Sequence, residues 1–246
     1  MSLRNHLADQ GHFLFRWRSY LPVVLGIPLI VAILQMQWPW GSHTVHIYWE
    51  GVSFAVSLLG LAVRIWTIGH TPEGTSGRNT AEQIANSLNT TGIYSIVRHP
   101  LYLGNFLIGL GPMMLPMVAW LPAVYCLAFA LYYERIMMAE EDFLRKKFGA
   151  VYDEWTERTP AFLPNWSLYQ PASLPFSLRN VLKREYTAIA QITIAFCLIE
   201  VMEHYVVEHQ WEIEPFWLGV GIFGVLQYLI LRSMKRYTPW LHVPGR

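Results

Sequence analysis

The sequence predicts an all-α, polytopic integral membrane protein with about six transmembrane helices. Three observations predict it. Of the 246 residues, 53% are hydrophobic and only 14% are charged, against roughly 25% charged in an average soluble domain. Apolar runs of membrane-spanning length recur along the chain. All 18 Lys and Arg residues fall on one side of a six-span arrangement. With a mean hydropathy of +0.27, this composition excludes a disordered chain, a coiled coil and an ordinary soluble enzyme. The net charge of +1 gives no electrostatic footprint for a polyanion, so nucleic acid is excluded as a partner. Cys126 and Cys197 lie inside apolar runs and read as small buried hydrophobes, not as a disulfide or metal pair.

The first span runs from about Tyr20 to Gln37 and the second from about Ile47 to Gly69. The apolar stretch Leu101–Tyr133 is too long for one span at 1.5 Å per residue. Pro112, Pro116 and Pro122 break it, which predicts a tight helical hairpin turning near Met114–Met117. The fifth span runs from about Tyr186 to Val207 and the sixth from about Pro215 to Leu231. No signal peptide precedes them: Arg16, Trp17 and Arg18 abut the first span, and no small-residue cleavage site follows. The outer loops near 38–46, 114–117 and 208–214 contain no Lys or Arg. The positive-inside rule then places both termini in the cytoplasm.

Between spans, Thr71–Arg78 and Asn165–Leu178 read as connectors, with a short helix around Ala81–Leu88. A helix is expected from Glu134 to about Arg158, interrupted at Gly149 and ended by Pro160 and Pro164. The chain divides into residues 1–88 (two spans and an inner loop), 89–166 (the polar core) and 167–246 (a connector and two spans), all within one membrane domain.

Several signals are discounted on physical grounds. Gly219, Gly221 and Gly224 match a dinucleotide fingerprint, but they lie inside an apolar span with no preceding strand. There, glycines serve close helix packing. Asn89 and Asn165 match the glycosylation pattern but fall on the cytoplasmic side. Glu200, Glu203 and His204 lie on or near one face at the outer end of the fifth span and read as an interfacial polar patch, ahead of a metal site or a lipid head-group pocket, so no metal is assigned. His43 and His46 fall in an outer loop and read as solvated.

The informative stretch is 89–166. Pro100 suits the first turn of the third span, with Arg98 and His99 just outside it. A helix N-terminus beside a cation is an anion-binding arrangement at the inner face. Tyr102, Asn105 and Gly109 share one helix face. Glu134, Glu141 and Arg145 share another on the helix leaving the fourth span.

Arg98-His99-Pro100-x-Tyr102-x-Gly104, then Glu140-Glu141, Phe148-Gly149-x-x-Tyr152 and Arg158-x-Pro160, resembles the isoprenylcysteine carboxyl methyltransferase family, and related phospholipid methyltransferases share much of it. The match covers about a third of the chain. The resemblance implies a membrane enzyme that binds S-adenosylmethionine in a pocket at its cytoplasmic face and acts on a membrane lipid or prenylated substrate. It implies a cofactor set of His99, Tyr102, Gly104, Glu140 and Glu141, with Tyr152, to which Asn105 is added from the shared helix face. It places Arg158 near the reaction centre, with Arg98 as a second cation. Family members often carry Arg after the later proline, where this chain has Ala161. The two spans after residue 185 lie outside the family's shared core.

Methyl transfer from a sulfonium is an in-line displacement, so the protein mainly positions the partners. A carboxylate or phosphate acceptor is already ionised and needs a cation, Arg158 or Arg98, rather than a base. An aminophospholipid acceptor would need one, which points to Glu134 or Glu141. A third reading is a sterol-reductase-like oxidoreductase using NADPH. A transporter would show inverted repeats, and the sequence shows none.

Overall fold

The computed structural model describes residues 10–11, 13–14, 21–75 and 85–246. Among them it has seven α-helices: α1 (Leu21–Leu34), α2 (His43–Gly69), α3 (Pro100–Met114), α4 (Trp120–Phe148), α5 (Ala150–Arg158), α6 (Leu178–Glu208) and α7 (Pro215–Tyr237). The described residues contain no strand, only an isolated bridge between Gly92 and Gln170. Arg16, Trp17, Arg18 and the first half of the short helix expected around Ala81–Leu88 lie outside the described residues, and Ala85–Leu88 are not helical.

Three helices, α2, α6 and α7, are long and apolar enough to cross a membrane. The expected six full spans are therefore only partly present. The 15 residues of α3 rise about 23 Å, short of a hydrocarbon core of about 30 Å, and α1 is described only from Leu21. The hairpin between α3 and α4 turns where Pro112, Pro116 and Pro122 predict it, with Met117 at φ 56° and its N–H donating to Met114 O at 3.1 Å. Pro112 stays inside α3 without ending it. No proline or glycine follows Pro122 until Gly149, so α4 continues without a break from its apolar half into Glu140, Glu141 and Arg145. Gly149 takes φ 56° and ends α4, as the sequence predicts, and α5 then doubles back.

α6 begins at Leu178, eight residues before the expected span. Ser177 caps it by accepting from the Asn180 N–H at 3.4 Å. This early start caps a second helix end. Asn180 Nδ2 donates to Ile68 O at 2.8 Å, and the Ser177 N–H and Arg246 guanidinium both donate to Gly69 O at 2.8 Å. These donors satisfy carbonyls that the last turn of α2 would otherwise leave orphaned.

The tightest helix pair is α2 with α3. A Cβ added at Gly60 would stand 2.5 Å from Gly104 O and 2.6 Å from Ile108 N, and one at Gly104 would stand 2.9 Å from Gly60 O. Backbone meets backbone there, the small-residue contact that lets membrane helices approach. Gly60→Ala is expected to cost about 1–3 kcal/mol, because neither backbone can yield without separating the helices. An unchanged unfolding midpoint of the purified variant in detergent would remove this role. Gly221 and Gly224 leave room for the Cys197 and Thr193 side chains of α6, whereas Gly219 faces open space. The fingerprint is thus a packing feature. The outward side of α7, with Phe216, Leu218, Ile222, Phe223, Leu226 and Ile230 exposed, suits lipid.

Candidate functional site

The segment after α5 lies along the segment before α3. Arg98 and His99 N–H groups donate to Pro160 O and Ala161 O at 2.9 and 3.2 Å, and the Asn165 N–H donates to Ile96 O at 2.9 Å. Farther along, the Gln170 N–H reaches Ser95 Oγ at 2.9 Å, and Trp155 Nε1 donates to Tyr94 O at 3.2 Å. The start of α3 is therefore fixed by residues about 60 positions later in the chain. One expectation changes. The two N–H groups ahead of the helix are occupied by carbonyls, and His99 O accepts from the Tyr102 and Leu103 N–H groups at 3.1 Å each. Those N–H groups are therefore not free for an anion, and the cation beside them is the Arg98 side chain.

His99 caps α3 and is buried. Its Nε2 lies 3.1 Å from Glu141 Oε1 and its Nδ1 lies 3.7 Å from Glu140 Oε2. An ionised carboxylate only accepts, so His99 Nε2 carries the proton in that bond. Arg98 shares the Glu141 oxygen at 3.0 Å, and its Nε is buried with no partner. The His99 ring stacks on Tyr102 at 5.6 Å. Tyr102 contacts Tyr133, which stacks on Phe129 at 4.0 Å. An aromatic wall thus runs from the charged cluster into the bundle.

Tyr152 reaches the cluster through the Gly149 bend. Arg145 Nε donates to Asp153 Oδ1 at 2.6 Å and the Arg145 guanidinium lies 5.5 Å from the Tyr152 ring centroid, which holds α5 against α4. Burial, reinforced by Glu141, pushes the Tyr152 phenol well above its ordinary range against the opposing pull of Arg98 and Arg145. It stays protonated at working pH and is a donor, not a base.

The structure thus brings Arg98, His99, Tyr102, Glu140, Glu141 and Tyr152 together. It places the other sequence-derived residues elsewhere. Gly104 packs against Gly60 and Arg64. Asn105 Oδ1 accepts from Arg64 NH1 at 2.6 Å. Glu134 is exposed and lies about 10 Å along α4 from Glu141. Arg158 is 59% exposed and 3.7 Å from Glu154, although the chain just after it returns to Arg98 as expected.

Sequence reasoning missed the group beside this cluster. Arg64 of α2 donates through Nε and NH2 to the two carboxylate oxygens of Glu185 at 2.6 and 2.7 Å, in addition to its bond to Asn105. Glu185 is fully buried. The available signal was Arg64, a charge inside an apolar run, which in a membrane implies a partner; Glu185 stands just before the fifth span, where the sequence does not mark it.

The model of the isoprenylcysteine carboxyl methyltransferase family matches residues 53–146, which include Arg98, His99, Glu140 and Glu141. The nickel-cobalt-cadmium resistance protein NccN of Alcaligenes xylosoxydans xylosoxydans is 35% identical over 163 residues, 64% of this chain and 67% of that protein. The cobalt-zinc-cadmium resistance protein CzcN of Cupriavidus metallidurans is 40% identical over 135 residues, 52% of this chain and 59% of that protein. The protein-S-isoprenylcysteine O-methyltransferase of Schizosaccharomyces pombe is 32% identical over 77 residues, 31% of this chain and 33% of that protein. No solved structure matches. With the matched span carrying the Arg98–His99–Glu141 cluster, this integral membrane chain belongs to the isoprenylcysteine carboxyl methyltransferase family.

Proposed function

We propose that the protein transfers a methyl group from S-adenosylmethionine to an acidic head group, a carboxylate or phosphate oxygen, of a membrane-embedded lipid or prenylated acceptor. One observation supports this above the rest: His99 and Glu141, 42 positions apart, meet with Arg98 and Tyr152 in one charged cluster within and beside the family-matched span. The metals in two relatives' names denote a resistance and supply no acceptor for this chain.

The residues fit the cofactor. Arg98 Nε is a buried donor without a partner, suited to an amino-acid carboxylate. Glu140, 35% exposed, and Glu141 suit an ammonium or ribose hydroxyls, and Tyr102 offers a flat aromatic face. When bound, S-adenosylmethionine supplies an electrophilic methyl group on sulfur. His99, Glu140, Glu141 and Tyr152 hold and orient it from the cytoplasmic side. Arg158, at the rim, holds the acceptor oxyanion in line and stabilises its bound form. No residue removes a proton, because the acceptor oxygen is already ionised. The acceptor reaches the site laterally from the bilayer, where water is excluded.

His99→Ala and Glu141→Ala are each expected to weaken S-adenosylhomocysteine binding about tenfold, the loss of one charge-assisted hydrogen bond of roughly 1.4 kcal/mol. Titration calorimetry on folded variants checks this. Unchanged affinity in both overturns the assignment, and tight binding of NADPH in place of S-adenosylhomocysteine would make the protein an oxidoreductase.

A further inference from the structure

The other end of the bundle holds a second polar cluster that methyl transfer does not use. His43 and His46, expected in a solvated loop, are in the first turn of α2, because the helix starts at His43 directly after Ser42. His46 is 0% exposed and Glu50, one turn on, is 3% exposed. Facing them on α6 are Glu200 at 1%, Glu203 at 0% and His204 at 5%. These are buried between helices and do not form an interfacial patch. From His46 to Arg64, α2 rises about 27 Å, which sets this cluster far from the Arg98 site. It also lies outside the family-matched residues 53–146.

The contacts converge on one nitrogen. His46 Nε2 is 2.9 Å from Glu203 Oε2 and 3.3 Å from Glu50 Oε1. The donor atoms of His46, Glu50 and Glu203 all lie within 4.8 Å of one another, as do those of Glu200, Glu203 and His204. Ligands of a tetrahedral zinc-type ion stand about 3.3 Å apart, so the spacing suits one. Glu203 Oε1 and both oxygens of Glu200 are buried without a donor in hydrogen-bond geometry, and Glu50 Oε1 has only the 3.3 Å approach of His46 Nε2. Three carboxylates share this space with two imidazoles. Trp217 Nε1 supplies one further donor, to Glu50 Oε2 at 3.2 Å. Buried carboxylates without donors are costly, and a dication offsets that cost.

We infer that His46, Glu50 and Glu203, with Glu200 and His204 beside them, form a binding site for a divalent transition-metal ion that ties α2 to α6. Imidazole with carboxylate is the donor set of zinc and cobalt, and the absence of thiolate disfavours softer ions. Binding displaces the proton from His46 Nε2, which becomes the ligand atom. A cleft of about 540 Å³ lined by Gln35, Gln37, Trp38 and Val206 lies on the His204 side of the cluster. The Trp38 ring in that cleft lies 6.2 Å from the His204 ring.

The test uses the full chain in detergent, stripped of metal and titrated with Co²⁺ and with Zn²⁺. One Co²⁺ per chain is expected, with visible d–d absorption that Zn²⁺ bleaches. His46→Gln and Glu203→Gln should each weaken binding about 100-fold, at least the loss that outer-shell changes cause. His209→Ala, an exposed histidine nearby, should leave binding unchanged. Circular dichroism and S-adenosylhomocysteine affinity report whether the variants fold. If a variant fails to fold, X-ray absorption of the metal-loaded wild type decides. Imidazole and oxygen in the first shell support the site. Sulfur ligation, no stoichiometric uptake by the wild type, or equal uptake by the folded variants overturns it.

Discussion

Arg158→Ala is expected to slow the proposed methyl transfer by about 30- to 1,000-fold, the loss of ~2–4 kcal/mol that follows removal of a preorganised charge from a reacting oxyanion. The side chain is 59% exposed at the end of α5, with only a loose pairing to Glu154 at 3.7 Å, so its guanidinium is free to meet an arriving head group. The backbone bonds of Pro160 and Ala161 to Arg98 and His99 hold its helix end beside the site. Arg158→Lys keeps the charge without the fork and should retain partial activity. S-adenosylhomocysteine affinity should change little in either variant. A carboxylate or phosphate acceptor is ionised at neutral pH, so the wild-type rate should show no essential base titrating between about pH 6 and 8. An amine acceptor would instead give a rate that rises with pH and depends on Glu134 or Glu141. That profile, with near-normal activity in Arg158→Ala, replaces O-methylation by N-methylation.

Glu185→Ala destabilises the bundle by about 3 kcal/mol or more, the cost of stripping the carboxylate from a buried ion pair. Both of Arg64's carboxylate bonds, at 2.6 and 2.7 Å, are lost together. The guanidinium then faces Asn105 and an apolar helix interface with its charge uncompensated. Glu185→Gln retains one acceptor oxygen and should fall between the variant and the wild type. Unfolding midpoints of the purified proteins check the order. A wild-type midpoint for Glu185→Ala would show that water already screens the pair.

The site was partly legible before the structure. Arg98, His99 and Glu141 stood out because an Arg-His-Pro helix start and a glutamate pair are unusual inside and beside apolar runs. Glu134 and Arg145 also fitted, by spacing alone, the helix face that carries Glu141. Spacing says which residues share a face but not which of them another element covers. In the structure Glu134 is exposed, and Tyr152 reaches Arg98 and Glu141 because Gly149 bends the chain. Gly104 matched the motif and Asn105 its helix face, yet one packs on α2 and the other bonds Arg64.

The sequence by itself determined what depends on neighbours along the chain. Hydropathy over span-length windows marked the apolar helices, prolines set the turn at Met114–Met117, and Gly149 ended α4. These are local preferences of backbone and solvent, and they act at short sequence separation. Tertiary structure decided which charges find each other. His46 meets Glu203 across 157 positions and Arg64 meets Glu185 across 121. Helix limits shifted for the same reason. α2 starts early enough to bury His46, and α6 starts early enough to cap α2 through Asn180. In an apolar interior an unpaired charge is so costly that the partner must be present. Only the packing of the helices identifies it.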